Sequence, residues 1–271
     1  MKFKMLWHKF WGDPKNPTFI FFHGFMGTHG DFKAVIESLQ KDYFCIAIDL
    51  PGHGFSKKFL PKSIQEFDNL ILDTIEPYTQ SEFTLVGYSM GGRIALKLSR
   101  ILKPSALALI SARVFELTAQ ERKKRFETDQ KKSLELQDLP FSNFLTTWYN
   151  FPLFKTLKDN ATLHHQMVEE RRKQSPLALS HILKLATPAV YSVGPQTLKD
   201  LQCPLLYCAG IEDAKYYQQI QEIKNKKKDL WLAAFSRASH ALHLEQASSL
   251  AQTLKQFNRY FHDKLETSSQ F

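Results

Sequence analysis

Six short runs of consecutive apolar residues recur along the chain, and segments of helical length separate several of them. The runs are continuously apolar rather than alternating, which is the pattern of parallel strands that are buried on both faces of a sheet. We therefore predict strands over residues 18–22, 43–49, 83–87, 106–111, 204–210 and 230–235.

Segments with helical spacing lie between several of these runs. They cover residues 31–40, 64–78, 90–103, 216–224 and 243–261. Strands that alternate with helices form right-handed βαβ units, in which parallel strands are joined through helices that pack on the sheet. The predicted fold class is therefore α/β, with a mostly parallel, doubly wound sheet.

One long interval breaks this alternation. Between about residues 113 and 188 no comparable strand-like run occurs, and helical spacing and charge dominate, as in "ELTAQERKKRFETDQKKSLELQDL". Open α/β sheets bind ligands at the carboxyl ends of their strands, so an insertion of this length is best placed there. We predict a core formed by residues 1–112 and 189–271, with residues 113–188 inserted as a helical cap that shapes the pocket.

The composition is that of a globular protein, with 43% hydrophobic and 23% charged residues. The net charge of +9 is compatible with a nucleic acid, a membrane surface or an acidic substrate as partner. The densest basic run, "KNKKKD" at 224–229, has no interleaved aromatic residues that could stack on bases, so we interpret it as a solvated loop. We accordingly expect no nucleic-acid partner.

The sequence shows no pattern of export or of membrane insertion. Its first residues lack the long apolar core and cleavage site of a signal peptide, and no apolar run reaches the roughly 18 residues that span a membrane. Cys45, Cys203 and Cys208 lie in or beside strand-like runs and lack the spacing of metal ligands. We expect a soluble, cytoplasmic protein with no membrane partner and with reduced, buried cysteines.

The candidate nucleophile is Ser89 in the stretch "GYSMG". A strand-like "FTLV" precedes this stretch and a helical "GGRIALKLSRIL" follows it. In a strand–turn–helix context, G-x-S-x-G forms a tight elbow that exposes the serine oxygen above the sheet. The alternative is a serine that caps a helix within a glycine-rich turn.

A serine hydroxyl becomes a strong nucleophile or base at neutral pH only with a histidine that a carboxylate orients. In folds with this elbow the chain order is serine, carboxylate, histidine. Asp213 follows one strand in "YCAGIEDAKYY", and His240 follows the next in "FSRASHALHLEQ". Glu212 and His243 stay as alternatives, because spacing determines such positions only to within a few residues.

An oxyanion hole requires two backbone N–H groups, one from the residue after the nucleophile and one from the loop after an early strand. Met90 meets the first condition, and Phe25 in "FFHGFMGTHGDF" meets the second. His23, beside Phe25, is interpreted as a structural hydrogen-bonding residue, since His240 already occupies the position of the base.

Arg93 stands where a cation is unfavourable. The helix dipole disfavours a cation in the first turn by about 0.3–1 kcal/mol when it is exposed. Arg93 lies one turn after Ser89 on the same helical face, so it is a candidate for binding an anionic substrate near the serine. The alternative is an exposed arginine that pairs with a carboxylate of the cap.

Several motifs together resemble one family. "HGFMGT" and "DLPGHGFS" are general to the α/β-hydrolase superfamily. "GYSMGGR", followed by "WYNFPLF", "GIEDAKYY" and "SHALHLE", resembles the 2-succinyl-6-hydroxy-2,4-cyclohexadiene-1-carboxylate synthases of menaquinone biosynthesis. The resemblance covers nearly the whole chain and implies the α/β-hydrolase fold. It also implies a lyase that eliminates pyruvate from 2-succinyl-5-enolpyruvyl-6-hydroxy-3-cyclohexene-1-carboxylate, with no metal or organic cofactor.

The resemblance further implies which residues bind this small polyanionic substrate. The matching positions are Tyr88, Arg93, Arg125, Trp148 and either Arg171 or Arg172. Bidentate pairing of guanidinium with carboxylate suits the task better than lysine does. The chain departs from the family beside its histidine, because Ser239 and Ala241 flank His240 where the family has Gly-His-Asn.

Two other functions remain open from the sequence. The first is a carboxylesterase or thioesterase-like hydrolase, including one that removes a methyl ester from a pimeloyl chain on an acyl carrier protein. A basic cap would suit such an acidic carrier. The second is a binding protein with an inactive site, against which the intact serine, aspartate and histidine argue.

Overall fold

A seven-stranded sheet forms the centre of the computed structural model, which describes residues 5–193, 198–225 and 230–268. The strands are β1 (His8–Trp11), β2 (Thr18–Phe22), β3 (Phe44–Ile48), β4 (Phe83–Tyr88), β5 (Ala106–Ile110), β6 (Leu205–Gly210) and β7 (Leu230–Phe235). Their order across the sheet is β1-β3-β2-β4-β5-β6-β7. Only β1 pairs antiparallel, with β3, and the other described pairs are parallel. The prediction of a mostly parallel α/β sheet is confirmed.

Helices cover both faces of the sheet. Those outside the long insertion are α1 (Lys33–Leu39), α2 (Ile64–Ile75), α3 (Met90–Leu102), α9 (Ala214–Lys224), α10 (Leu242–Glu245) and α11 (Ala247–Ser268). Between β5 and β6 the chain forms α4 (Ala119–Asp138), α5 (Phe141–Tyr149), α6 (Lys155–Asp159), α7 (Ala161–Arg172) and α8 (Pro176–Leu185). Within this set α4 packs along α8. Among the described residues, no helix is long and apolar enough to cross a membrane.

The continuous apolar runs have a direct structural reason. In β2, Phe19 and Phe21 belong to the apolar layer on one face of the sheet, whereas Ile20 and Phe22 belong to the layer on the other face. All four side chains are fully buried. Burying one such side chain contributes about 1.5–3 kcal/mol, which explains why both faces of the strand are apolar.

A third apolar cluster lies above the carboxyl edge of the sheet. It joins Leu136, Leu145 and Leu157 of the helices between β5 and β6 to Met26 of the loop after β2. The helices of the insertion thus pack on each other and on the loop that follows an early strand.

The structure differs from the predicted elements at one edge. The sequence pattern did not predict β1, because its residues are half-buried or exposed and show no apolar run. The predicted helix 243–261 is divided into α10 and α11 at Gln246.

The three cysteines are buried, and none is disulfide-bonded within the described chain. Most of the basic run, residues 226–229, lies outside the described residues.

Candidate active site

Ser89 occupies the turn between β4 and α3. Its backbone has φ 51° and ψ −106°, a left-handed conformation that is strained for a residue with a side chain. Two neighbours have to be glycine. A Cβ atom at Gly87 would lie 2.5 Å from the Gly91 carbonyl oxygen, and one at Gly91 would lie 2.2 Å from the Phe22 carbonyl oxygen. The sequence therefore folds locally into the tight elbow that raises the serine oxygen above the sheet edge.

Three side chains from three loops meet at this elbow. The Ser89 Oγ atom lies 3.0 Å from His240 Nε2, and His240 Nδ1 lies 2.7 Å from Asp213 Oδ2. Asp213 is only 3% exposed. A carboxylate at Nδ1 holds the proton on that nitrogen, so Nε2 presents its lone pair to the serine hydroxyl. The arrangement can accept a proton from Ser89 and return it.

The two alternative residues lie elsewhere. Glu212 is exposed. His243 is buried behind Tyr88, with ring centres 3.9 Å apart, and neither of its ring nitrogens has a hydrogen-bond partner in the described part of the chain. Burial lowers the pKa of His243 to about 3, so the ring is neutral at physiological pH.

The loop that carries His240 is held on both sides. The His240 backbone N–H donates to the Leu153 carbonyl oxygen of the insertion at 3.0 Å. Ser239 donates through its backbone N–H and its hydroxyl to the Glu245 carboxylate, at 2.9 Å and 3.1 Å. Thr156 of α6 also donates to Glu245. Ser239 therefore anchors the histidine loop through a contact that glycine lacks.

The two predicted oxyanion donors flank the serine. Met90 is the first residue of α3, so its backbone N–H has no partner within the helix. Phe25 lies in the loop after β2, and both residues line the same cavity as Ser89. His23 donates from Nδ1 to the Gly24 carbonyl oxygen at 2.7 Å and accepts from the Leu50 N–H at 3.0 Å, which confirms its structural interpretation.

A cavity of about 320 Å³ opens above Ser89. The charged side chains that line it are Arg93, Arg125, Asp129, Lys132, Asp213 and Lys215. The two carboxylates are already engaged, since Asp129 accepts from Arg125 at 2.6 Å and Asp213 faces His240. Four cations against two carboxylates give the cavity an excess of positive charge that attracts an anionic ligand.

Arg93 lies in the cavity wall, only 6% exposed. Its two terminal nitrogens donate to the carbonyl oxygens of Ala186 and Tyr191, both at 2.9 Å. Burial, followed by the repulsion of Arg125, lowers the pKa of Arg93 to about 10, so it stays charged at neutral pH. The alternative of an exposed arginine is wrong. Two carbonyl groups hold this guanidinium without neutralising it.

The segment that holds Arg93 is itself anchored. The Tyr191 hydroxyl donates to Asp68 Oδ1 of α2 at 2.7 Å, and Lys97 of α3 contacts the other oxygen of that carboxylate at 2.6 Å. Arg93 is thus positioned by a chain of contacts that extends across two helices.

Three other predicted substrate-binding residues, Tyr88, Arg125 and Trp148, also line the cavity. Trp148 packs against Phe25, with ring centres 5.4 Å apart. These residues are far apart in sequence and meet because the insertion lies over the carboxyl edge of the sheet.

The structure does not bring Arg171 or Arg172 to the cavity. Arg171 is buried and donates to both carboxylate oxygens of Asp31, at 2.8 Å and 2.7 Å, and to the Tyr149 hydroxyl at 3.2 Å. Arg172 lies on the surface and pairs with Glu169 at 3.0 Å. In this structure neither predicted position faces the cavity, because Asp31 already satisfies the Arg171 guanidinium and Arg172 is exposed to solvent.

Replacing Asp31 by asparagine is expected to lower the free energy of unfolding by about 3–5 kcal/mol, because the buried Arg171 charge would lose its partner. Urea denaturation followed by circular dichroism measures this. The control is Arg172→Gln, which removes an exposed pair and should cost at most about 1 kcal/mol. Equal small losses for the two variants would contradict a stabilising link between α7 and the loop after β2.

Acid is expected to unfold the protein because several histidines are buried neutral. Burial lowers the pKa of His23 to about 4 and those of His53 and His243 to about 3, from 6.5. The unfolded chain takes up these protons first, so the stability is complete above pH 6.5 and is lost as the pH falls towards 4 and 3. Three protons correspond to up to about 4 kcal/mol per pH unit.

Urea midpoints measured between pH 7.5 and 4 check this slope. His243→Phe should make it shallower, because one of the three protonation sites is gone and both ring nitrogens lack partners. The exposed His165→Gln is the control and should leave the slope unchanged. Stability that stays constant down to pH 5 would be inconsistent with neutral buried rings.

Sequence reasoning missed part of the cavity wall. Asp129 and Lys132 follow Arg125 on α4 by four and seven residues, which places the three on one helical face. Once Arg125 is taken as a cavity residue, this spacing predicts that Asp129 and Lys132 line the cavity too. Lys215 and Tyr216, by contrast, follow Asp213 by two and three residues and carry no pattern that separates them from an ordinary helix start.

The fold is that of a known family. A family model described as the alpha/beta hydrolase fold matches residues 17–245. The chain therefore belongs to the α/β-hydrolase fold family and is an enzyme of that fold.

Two relatives within this family share one enzyme name. The chain is 29% identical to the 2-succinyl-6-hydroxy-2,4-cyclohexadiene-1-carboxylate synthase of Enterobacter sp. (strain 638), over 92% of this chain and 94% of the relative. The synthase of Photorhabdus laumondii subsp. laumondii is 26% identical over 95% and 91% of the two chains.

Two solved structures have a similar fold. The structure of MenH from S. aureus superimposes with a TM-score of 0.87 at 24% identity, covering 94% of this chain and 98% of the other. A malate-bound thermophilic esterase from Thermogutta terrifontis gives a TM-score of 0.82 at 17% identity, covering 95% and 94%. The fold thus occurs both in an esterase and in a MenH protein.

Proposed function

We propose that this enzyme is a lyase of menaquinone biosynthesis. It eliminates pyruvate from 2-succinyl-5-enolpyruvyl-6-hydroxy-3-cyclohexene-1-carboxylate and forms 2-succinyl-6-hydroxy-2,4-cyclohexadiene-1-carboxylate. The relatives named for the product support the reaction, and the geometry around Ser89 supplies a base for it. The proposal places the enzyme in the cytoplasm and requires neither metal nor organic cofactor.

The reaction begins with proton transfer. His240, oriented by Asp213, takes the proton of the Ser89 hydroxyl across 3.0 Å. The serine oxygen then removes the proton from ring carbon 2, which lies beside the succinyl carbonyl group. The N–H groups of Phe25 and Met90 stabilise the negative charge that develops on that carbonyl oxygen.

The electron pair of the broken C–H bond then moves through the ring. A double bond forms between carbons 2 and 3, the existing one shifts to carbons 4 and 5, and the carbon–oxygen bond at carbon 5 breaks. The leaving group departs as the enolate of pyruvate and takes up a proton. No acyl-enzyme forms. Ser89 is a hydroxyl again once it holds the proton from carbon 2, and the proton that His240 took is the one that the pyruvate enolate takes up, so the relay returns to its starting state.

The excess of cations in the cavity carries the proposal. A substrate with three carboxylates gains from Arg93 and Arg125 near the serine, and bidentate guanidinium contacts suit carboxylates. A cavity built for a neutral ester would have no use for Arg93, a buried guanidinium that is held by carbonyl oxygens and not by a carboxylate, because burying such a charge is costly.

The test offers the purified enzyme both the proposed substrate and p-nitrophenyl esters. We expect rapid pyruvate release, detected with lactate dehydrogenase and NADH, and negligible nitrophenol release. The opposite result overturns the lyase. It would favour the second candidate, a carboxylesterase or an esterase acting on a pimeloyl methyl ester bound to an acyl carrier protein, since the same relay can activate Ser89 as a nucleophile.

A further inference from the structure

Lys132 is a cation of the cavity to which the proposed reaction assigns no contact of its own. It follows Arg125 by seven residues and Asp129 by three on α4, so the three side chains project from one face of the helix. All three line the cavity above Ser89. The next residue back, Lys131, is exposed and does not line it.

Aromatic rings surround the Lys132 ammonium group. It lies 5.2 Å from the centre of the Trp148 ring and 4.4 Å from that of Phe151, and both rings line the same cavity. Aromatic faces attract a cation but accept hydrogen bonds poorly, so they leave the three N–H donors of the ammonium available.

Carboxylates offset the charge of this lysine only in part, since Glu135 and Asp129 attract it from a distance. Among the ion pairs of the described residues, none includes Lys132. Asp129, the acidic residue that lines the cavity on this helix, accepts from both Arg125 and Thr187. Burial lowers the pKa of Lys132, which reflects the loss of water around its charge. An anion at this point would offset that loss.

The pairing of Arg171 with Asp31 bears on the role of Lys132. Arg171 is bound to Asp31 and does not line the cavity, unlike Arg125, so it does not supply the third cation for a ligand with three carboxylates. Lys132 extends the positive wall beyond Arg125 towards Trp148 and Phe151, where the cavity is otherwise aromatic.

We propose that Lys132 is a specificity-determining residue that binds a carboxylate group of the ligand at the Trp148–Phe151 end of the cavity. The identity of that ligand rests on the proposed function, whereas the preference for an anion rests on the environment of Lys132 alone. Methionine matches the lysine stem in length and apolar character, so Lys132→Met removes the charge while retaining the packing against the rings.

The experiment uses calorimetric binding of tricarballylate, a small tricarboxylate, and of its uncharged triamide. We expect Lys132→Met to raise the Kd of tricarballylate about tenfold, as loss of one partly desolvated charge pair does, and to leave triamide binding unchanged. Lys132→Arg should retain most of the affinity. Lys131→Met is the matched control and should change the Kd by less than about twofold, because an exposed charge contributes little.

Two results would overturn the inference. In the first, Lys132→Met and Lys131→Met raise the Kd of tricarballylate by the same small factor. Lys132 would then only pack against the Trp148 ring. In the second, the wild-type enzyme binds the triamide as well as the tricarboxylate. Neither depends on turnover, so the two proposals fail separately. A Lys132-dependent preference for tricarballylate without pyruvate release leaves this inference intact and rejects the lyase. If the enzyme releases pyruvate and Lys132→Met leaves that release unchanged, the lyase is supported and this inference is rejected.

Discussion

Ser89→Ala and His240→Ala are each expected to lower kcat by about 10³-fold or more while the fold is retained. The serine loses the oxygen that removes the substrate proton, and the histidine loses the nitrogen that lies 3.0 Å from that oxygen. Because the two groups act as one relay, the double variant should lose little more than either single variant. Pyruvate release measures the loss, and circular dichroism monitors the fold.

Ser38→Ala is the matched control for these variants, since Ser38 is exposed on α1 and should tolerate the change. If the fold-loss of the double variant equals the product of the two single losses, the relay is contradicted. Independent groups give such a product, whereas two groups on one proton path do not. Asp213→Asn should lower kcat by less than Ser89→Ala does and by more than Ser38→Ala does. It keeps the hydrogen bond to His240 in length but removes the charge that stabilises the protonated ring.

Arg93→Ala is expected to lower kcat/KM for the polyanionic substrate by about 2–5 kcal/mol, or roughly 30- to 5,000-fold, because it removes one partner of a desolvated charge pair. Arg93→Lys should recover only part of this. Its single ammonium cannot reproduce the planar fork that contacts the carbonyl oxygens of Ala186 and Tyr191.

The structure adds a second consequence to the same change. Arg93→Ala leaves two buried carbonyl groups without their donors, at a cost of about 1–3 kcal/mol each, so the variant should also be less stable. Activity must therefore be compared at a temperature where both proteins are folded, through pyruvate release from the tricarboxylate substrate and through the trace hydrolysis of a neutral ester. An equal loss on both substrates would mean that Arg93 acts on stability alone.

Features that depend on neighbouring residues were predictable from the sequence. All six predicted strands begin and end within one residue of an observed strand, from β2 to β7. Burial on both faces demands an unbroken apolar run, and such a run is visible in one segment of chain. The elbow at Ser89 was visible for a similar reason, since the glycines that avoid collisions at 87 and 91 stand beside the serine.

Pairings across long stretches of chain were decided by the tertiary structure alone. Arg171 and Asp31 are 140 residues apart, and only the packing of α7 on the loop after β2 shows that this arginine is already paired. Arg93 is likewise held by carbonyl oxygens 93 and 98 residues away. A sequence identifies a cation but not its partner, because the energy of a charge depends on the groups that folding brings beside it. The amino-acid pattern by itself thus determined the sheet, the elbow and the serine, aspartate and histidine candidates, whereas folding decided which cations remain available to a ligand.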